Sequence, residues 1–205
     1  MTSLAYHSGT KMSFPGFDRV YELRDPGTPE FRTTVGASID EARAVTRGEI
    51  TPLEPVKLQW VMGRRNPRDF IWTGLAVPRI VHERIVAILS KHGFLGWSLY
   101  PVEVYGPKGE RVNDYHGLAI GGRCGALRPD RSEEIQKVGP AGTWITVYRG
   151  LYCDESAWDG SDLFMPSDQL AGMVFVTQPV RDVLLRAKVK GAAFDRLDST
   201  ERSFL

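Results

Sequence analysis

Two stretches of this chain, 95 positions apart, share one pattern of apolar residues and glycine. Ile85, Ile88 and Leu89 precede Gly96 and then Leu99. Val180, Val183 and Leu184 precede Gly191 and then Phe194. An extended apolar run leads into each copy (Gly74 to Val77, Met173 to Thr177), and a proline stands near each expected helix start, Pro78 and Pro179. A helix–glycine–strand unit written twice restricts architecture far more than composition does, because each copy needs a sheet to cover its apolar stripe. The pattern is short enough that duplication and chance recurrence of apolar residues both remain open.

The first copy carries a full set of helix signals. Val81, Ile85, Ile88 and Leu89 form one apolar stripe. Pro78 suits a first turn, Lys91 and His92 suit the negative end of the helix dipole, and Gly93 suits a left-handed cap. These predict a helix from Pro78 to His92, and a shorter one from Pro179 to Lys190. Strands are expected at Val20–Leu23, Leu58–Met62, Trp97–Leu99, Val102–Val104, Arg111–Ile120 and Trp144–Tyr152. Gly106-Pro107-Lys108-Gly109 reads as a hairpin turn. The fold class expected is α+β: an antiparallel or mixed sheet with two main helices packed on it, and two related units at 74–105 and 173–198. Residues 1–50 are expected to be an extension with one short strand, and 51–205 a single domain.

Net charge is only +1, so no global bias toward nucleic acid or an acidic membrane surface follows. Nor is there a run of about 18 apolar residues or a basic start followed by an apolar core, so a cytoplasmic location is expected. The charge that does stand out is local. Asp154, Glu155, Asp159, Asp162 and Asp168 lie between Leu151 and Gln169 with no Lys or Arg, and Trp158, Leu163, Phe164 and Met165 are interleaved with them. Carboxylates around apolar anchors suit docking onto a basic protein, the charges steering and the rings making contact. Partner-binding residues are therefore expected at Asp154, Glu155, Trp158, Asp159, Asp162, Phe164 and Asp168, and charge reversal at Asp159 and Asp162 should slow association without affecting stability. The other view of this segment is an acidic loop with Trp158 and Phe164 in the core.

Other chemistry is thinner. Tyr115, His116 and Cys124 could form a small hydrolase-like site, but no nucleophile elbow accompanies them. Arg64, Arg65 and Arg68 among Trp60, Phe70 and Trp72 could meet phosphates and bases. His82 and His92 are ten positions apart and Cys124 and Cys153 stand alone, which is not metal-ligand spacing. Gly121-Gly122-Arg123-Cys124-Gly125 lacks the spacing of a phosphate-binding loop. No cofactor is expected.

Leu75-Ala76-Val77-Pro78, then Gly93-Phe94-Leu95-Gly96-Trp97, then Tyr100-Pro101-Val102-Glu103-Val104-Tyr105, Asp114-Tyr115-His116-Gly117 and the glycine-rich run at 121–125 together resemble a bacterial family. It is the immunity proteins of polymorphic toxin systems, in a family long of unknown function and abundant in myxobacteria. The resemblance is sharpest over about Phe70 to Gly125. Phe175-Val176-Thr177 and Gly191-Ala192-Ala193-Phe194 resemble that family's C-terminal signature, and the first 50 residues are not covered. The resemblance implies a non-enzymatic cytoplasmic protein that occludes a cognate toxin domain, often a nuclease in such systems. It transfers no interface residue.

Overall fold

A computed structural model describes residues 13–27, 31–33, 39–60, 68–73, 79–139, 142–168 and 173–202. Strands dominate it, in sheets of five, three, four and four strands. The α-helices among the described residues are short: α1 (Ile39–Thr46), α2 (Glu83–Lys91) and α3 (Gln178–Arg186). The expected α+β arrangement, one sheet carrying two main helices, is therefore corrected to a strand-rich fold of four sheets. Part of the cause is local. The helix expected from Pro78 opens only at Glu83, with the His82 Nδ1 accepting from the Arg84 N–H as its cap. Arg79–His82 pairs as a strand, because an apolar Ile80-Val81 pair serves a sheet buried on both faces better than one turn of helix. Pro78 lies outside the described residues. Likewise Arg111–Ile120 is two strands in two sheets, broken at Asp114, whose φ is +67°.

The first four-stranded sheet runs β4 (Phe70–Ile71), β5 (Arg79–His82), β9 (Tyr115–Ile120), β6 (Trp97–Tyr100), with α2 joining β5 to β6. The five-stranded sheet runs β10 (Gly122–Cys124), β13 (Leu163–Pro166), β14 (Val174–Thr177), β1 (Val20–Arg24), β15 (Ala193–Arg196), with α3 joining β14 to β15. Each is a strand–helix–strand unit whose two strands flank a third, antiparallel to both. Leu118 faces Arg79 and Leu99; Leu23 faces Val174 and Phe194. Position n in one place thus corresponds to n + 95 in the other, for 79 and 174, 99 and 194, and 23 and 118. The central strands are exchanged: β1 completes the unit built by residues of the second half, and β9 completes the unit of the first.

The loops repeat as well. The Phe70 N–H donates to the Lys190 carbonyl (3.0 Å), and the Leu163 N–H to the Leu95 carbonyl (3.0 Å). The Asp69 carboxylate accepts from the Lys190 N–H (2.8 Å), as Asp162 does from the Leu95 N–H (3.0 Å). Gly96 and Gly191 both have positive φ, +92° and +84°. A Cβ would strike the Leu163 carbonyl oxygen at one and the Phe70 carbonyl oxygen at the other. Each unit's glycine is thus pressed against the other unit's edge strand. The main core lies between them and draws on both: Val81, Ile85, Leu89, Leu118 and Phe70 from one, Val176, Val180, Leu184, Leu23 and Leu163 from the other.

Two further sheets attach. One runs β2 (Phe31–Thr33), β3 (Val56–Trp60), β7 (Val102–Tyr105), β8 (Arg111–Val112), and its β7–β8 hairpin closes at Gly106–Gly109 as the sequence predicts. The other is β11 (Glu133–Val138), β12 (Trp144–Arg149), β16 (Glu201–Arg202). The described residues of the first fifty include parts of two sheets and a helix. β1 occupies the interior of the largest sheet, and Val45 of α1 packs on Tyr100 and Ala119.

Candidate partner-binding surface

The acidic segment builds loops. Asp154 caps a 3-10 turn, Glu155–Ala157, accepting from the Ser156 N–H (3.0 Å) and hydroxyl (2.7 Å). Asp159 accepts from the Arg123 N–H (2.8 Å) and the Ser161 N–H (2.9 Å). Asp162 takes the Leu95 N–H and the Thr177 hydroxyl, both at 3.0 Å, and Asp168 takes the Leu127 N–H at 3.0 Å. Short acidic side chains reach nearby backbone donors in this way, which is why they recur in turns.

The charge is also offset from elsewhere in the chain. Arg131 pairs with Glu155 (2.7 Å) and Arg128 with Asp130 (2.7 Å). The Ser156 donors, then these arginines, hold the Asp154 carboxyl below the ordinary range. Glu155 is held below it by a backbone N–H and by Arg131. The local −5 of the sequence is therefore not a −5 surface. The anchors fail more plainly. Phe164 is fully buried and Trp158 is 8% exposed; their rings pack together with Phe14 and Phe175 in a second core cluster. Alternation along β13 and the cover of the preceding turn place them inside. Phe164 and Trp158 cannot be surface contacts in this conformation, and the expectation is corrected on that point. The expectation that charge at Asp159 and Asp162 is irrelevant to stability is corrected too, since both bind backbone N–H groups.

Tyr115, His116 and Cys124 are not brought together. Tyr115 and His116 are successive strand residues and face opposite sides of β9. The Tyr115 hydroxyl donates to the Arg68 carbonyl (3.0 Å), within a cluster that includes Leu58 and Trp60. Cys124 lies in the other cluster, its thiol directed at the Met165 carbonyl (3.6 Å). A hydrogen bond with Cys153, together with burial, raises its pKa far above the usual value, leaving a thiol where a nucleophile would be a thiolate. The two cysteines that look isolated in sequence are neighbours in space. Arg64 and Arg65 lie outside the described residues. Among those described, no group of three His, Cys, Asp or Glu is placed to hold a metal ion, and no helix is long and apolar enough to cross a membrane.

Among the described residues, the largest apolar side chain left in solvent is one that sequence reasoning missed. β11 and β12 pair along their whole length as a hairpin, from Glu133 opposite Arg149 to Val138 opposite Trp144. At the tip Trp144 is 70% exposed and its cross-strand partner Val138 61%, with Ile145 at 38% on the opposite face of the hairpin. The base is fixed. Arg149 bridges Glu133 (3.0 Å) and Glu201 (3.1 Å), the Ser132 hydroxyl donates to the Gly150 carbonyl (2.6 Å), and Val147 is buried. Just before the hairpin, the Arg131 guanidinium lies 5.2 Å from the centres of both the Phe17 and Tyr152 rings. A rigid base thus carries an indole out into solvent. The sequence signal was present: glycines and a proline at 139–142 between two alternating runs.

Compared with protein-family models and with curated protein sequences, the chain matches none.

Proposed function

We propose that this chain is a cytoplasmic binding protein of the immunity type, which neutralises a cognate bacterial toxin domain by occluding it, and that the β11–β12 tip is its principal contact. The observation that carries this is Trp144. A large aromatic side chain 70% exposed on a well-anchored hairpin, with Val138 beside it on the same face, is the kind of residue that dominates binding energy when a partner pocket takes it up. The segment from Asp154 to Asp168 contributes at the rim, and its steering role is reduced because Arg131 pairs with Glu155 and the other carboxylates hold backbone donors. A basic toxin domain, a nuclease among them, suits those rim charges.

The enzyme alternative at Tyr115, His116 and Cys124 has no convergent geometry in its favour, since the three sit on different faces and in different clusters. The test begins with the gene immediately upstream, which should encode a large protein ending in a toxin domain, and uses that domain as the probe. The intact chain should bind it and protect cells expressing it. Trp144→Ala should weaken binding by about thirtyfold or more, equivalent to about 2 kcal/mol at a hot spot, with unchanged thermal stability. No complex with the neighbouring toxin, or full affinity in Trp144→Ala, would overturn the proposal.

A further inference from the structure

The same hairpin has an open side. β11 is an outer strand of its sheet: β12 covers one edge of it, and no described strand covers the other. It is six residues long and mostly exposed, with no proline or bulge. The Gly139 N–H donates to the Thr143 carbonyl, which sets the alternation of the ladder. Backbone groups of Glu133, Ile135 and Lys137 face β12, and those of Glu134, Gln136 and Val138 face outward. Such an edge is a template for another strand.

What fits it can be read from the side chains. A two-fold axis perpendicular to the sheet leaves each face on its own side, so β11 can meet its own copy only in registers centred on a residue. Centred on Ile135, that residue meets its copy, Glu134 meets Gln136 of the second copy, and Glu133 meets Lys137 of the second copy, which in its own chain pairs with Glu201 and would bridge the two carboxylates. The pairing across β12 and β16 then extends into whole rows. Glu201, Arg149, Glu133 and the second copy's lysine alternate in sign, and the same row repeats in reverse on the far side of the axis. Between the two rows runs an apolar one, Val147, Ile135 and their copies. Centred on Gln136 instead, Ile135 would face a lysine and Glu134 a valine. The strand is self-complementary in one register.

We propose that the chain forms a two-fold homodimer in which β11 pairs antiparallel with β11 of a second copy, centred on Ile135, joining two three-stranded sheets into one of six. This stands apart from toxin binding, because the tip at Trp144 stays outside the new strand pair. By light scattering across a concentration series, the mass should rise from 22.9 kDa toward twice that value. Glu133→Lys alone and Lys137→Glu alone each set like charges opposite one another at both ends and should weaken the dimer about tenfold. An equimolar mixture of the two variants restores opposite charges at both ends and should dimerise again, a rescue that a merely structural role for either side chain would not give. Gln136→Pro removes an outward N–H while leaving the β12 ladder intact, and should be monomeric. A wild-type mass of 22.9 kDa up to the solubility limit, dimerisation that survives Gln136→Pro, or a mixture no more dimeric than its components would overturn the proposal. Toxin protection by the Gln136→Pro monomer would be retained, which separates failure here from failure of the binding role.

Discussion

The unit around α2 and the unit around α3 share their pairing register, their glycine contact and their aspartate–backbone lock, while among the residues that differ one pair of facing positions is put to opposite uses. In the first unit Tyr100 faces Gly117, and a Cβ on Gly117 would collide with the tyrosine ring. In the second the equivalent pair is Asp195 and Glu22. Asp195 pairs with Arg24, and Glu22, nearly buried, pairs with Arg202 (2.6 Å) on β16. One unit fills the site with a ring; the other uses it to fasten the sheet that bears the projecting hairpin. A repeated scaffold is thus differentiated where the non-repeated part is attached, and the surface proposed for partners belongs to that part.

The correspondence breaks most readily at the glycines. Gly96→Val and Gly191→Val should each cost about 4 kcal/mol or more, because a β-branched residue is forced both into positive φ and onto a backbone oxygen. Denaturant unfolding would measure this; a tolerant Gly191 beside an intolerant Gly96 would mean that the two contacts are not equivalent. The exchanged central strands come next. Leu23→Ala and Leu118→Ala, both fully buried, should each cost about 2–5 kcal/mol and affect a single transition, since the core they enter is shared. Two separate transitions would argue against that sharing.

The aspartate locks should follow. Asp69→Ala and Asp162→Ala each strand a backbone N–H (that of Lys190 and of Leu95) and should cost about 1–3 kcal/mol by thermal melting. A neutral Asp162→Ala would restore that residue as a candidate for charge steering. The smallest effect concerns Glu22. Burial holds its carboxyl above the ordinary pKa, opposed by Arg202. The folded chain therefore binds more protons than the unfolded chain in the window above the usual carboxylate value. The stability this contributes is full below that value and is lost as pH rises through the folded pKa of Glu22. Midpoints of denaturation measured against pH should decline across that window in the wild type and flatten in Glu22→Gln. An unchanged slope would assign the dependence to other groups.

Much of the local structure was legible because it obeys local rules. The apolar stripe Ile85, Ile88, Leu89 and the positive-φ Gly93 mark α2 and its end, and Gly106–Gly109 marks its turn. The point where α2 begins was not legible, since Ile80 and Val81 suit either a helix or a buried strand, and pairing with β9 decided it. In the acidic segment, side-chain type was legible and role was not. Trp158 and Phe164 are in the core because of strands far away in sequence, and the arginines beside Asp154 and Glu155 come from a different loop.

The sequence alone determined the recurrence at 95 positions, the glycines that must sit where no side chain fits, and the turns, all set by the conformational limits of neighbouring residues. Only the tertiary structure decided that the central strands cross over between the units, that the acidic groups hold loops, and that Trp144 stands in solvent while Trp158 does not. Both tryptophans look alike in the chain. What separates them is which distant strands cover each one, and burial of that kind is a property of the assembled sheets.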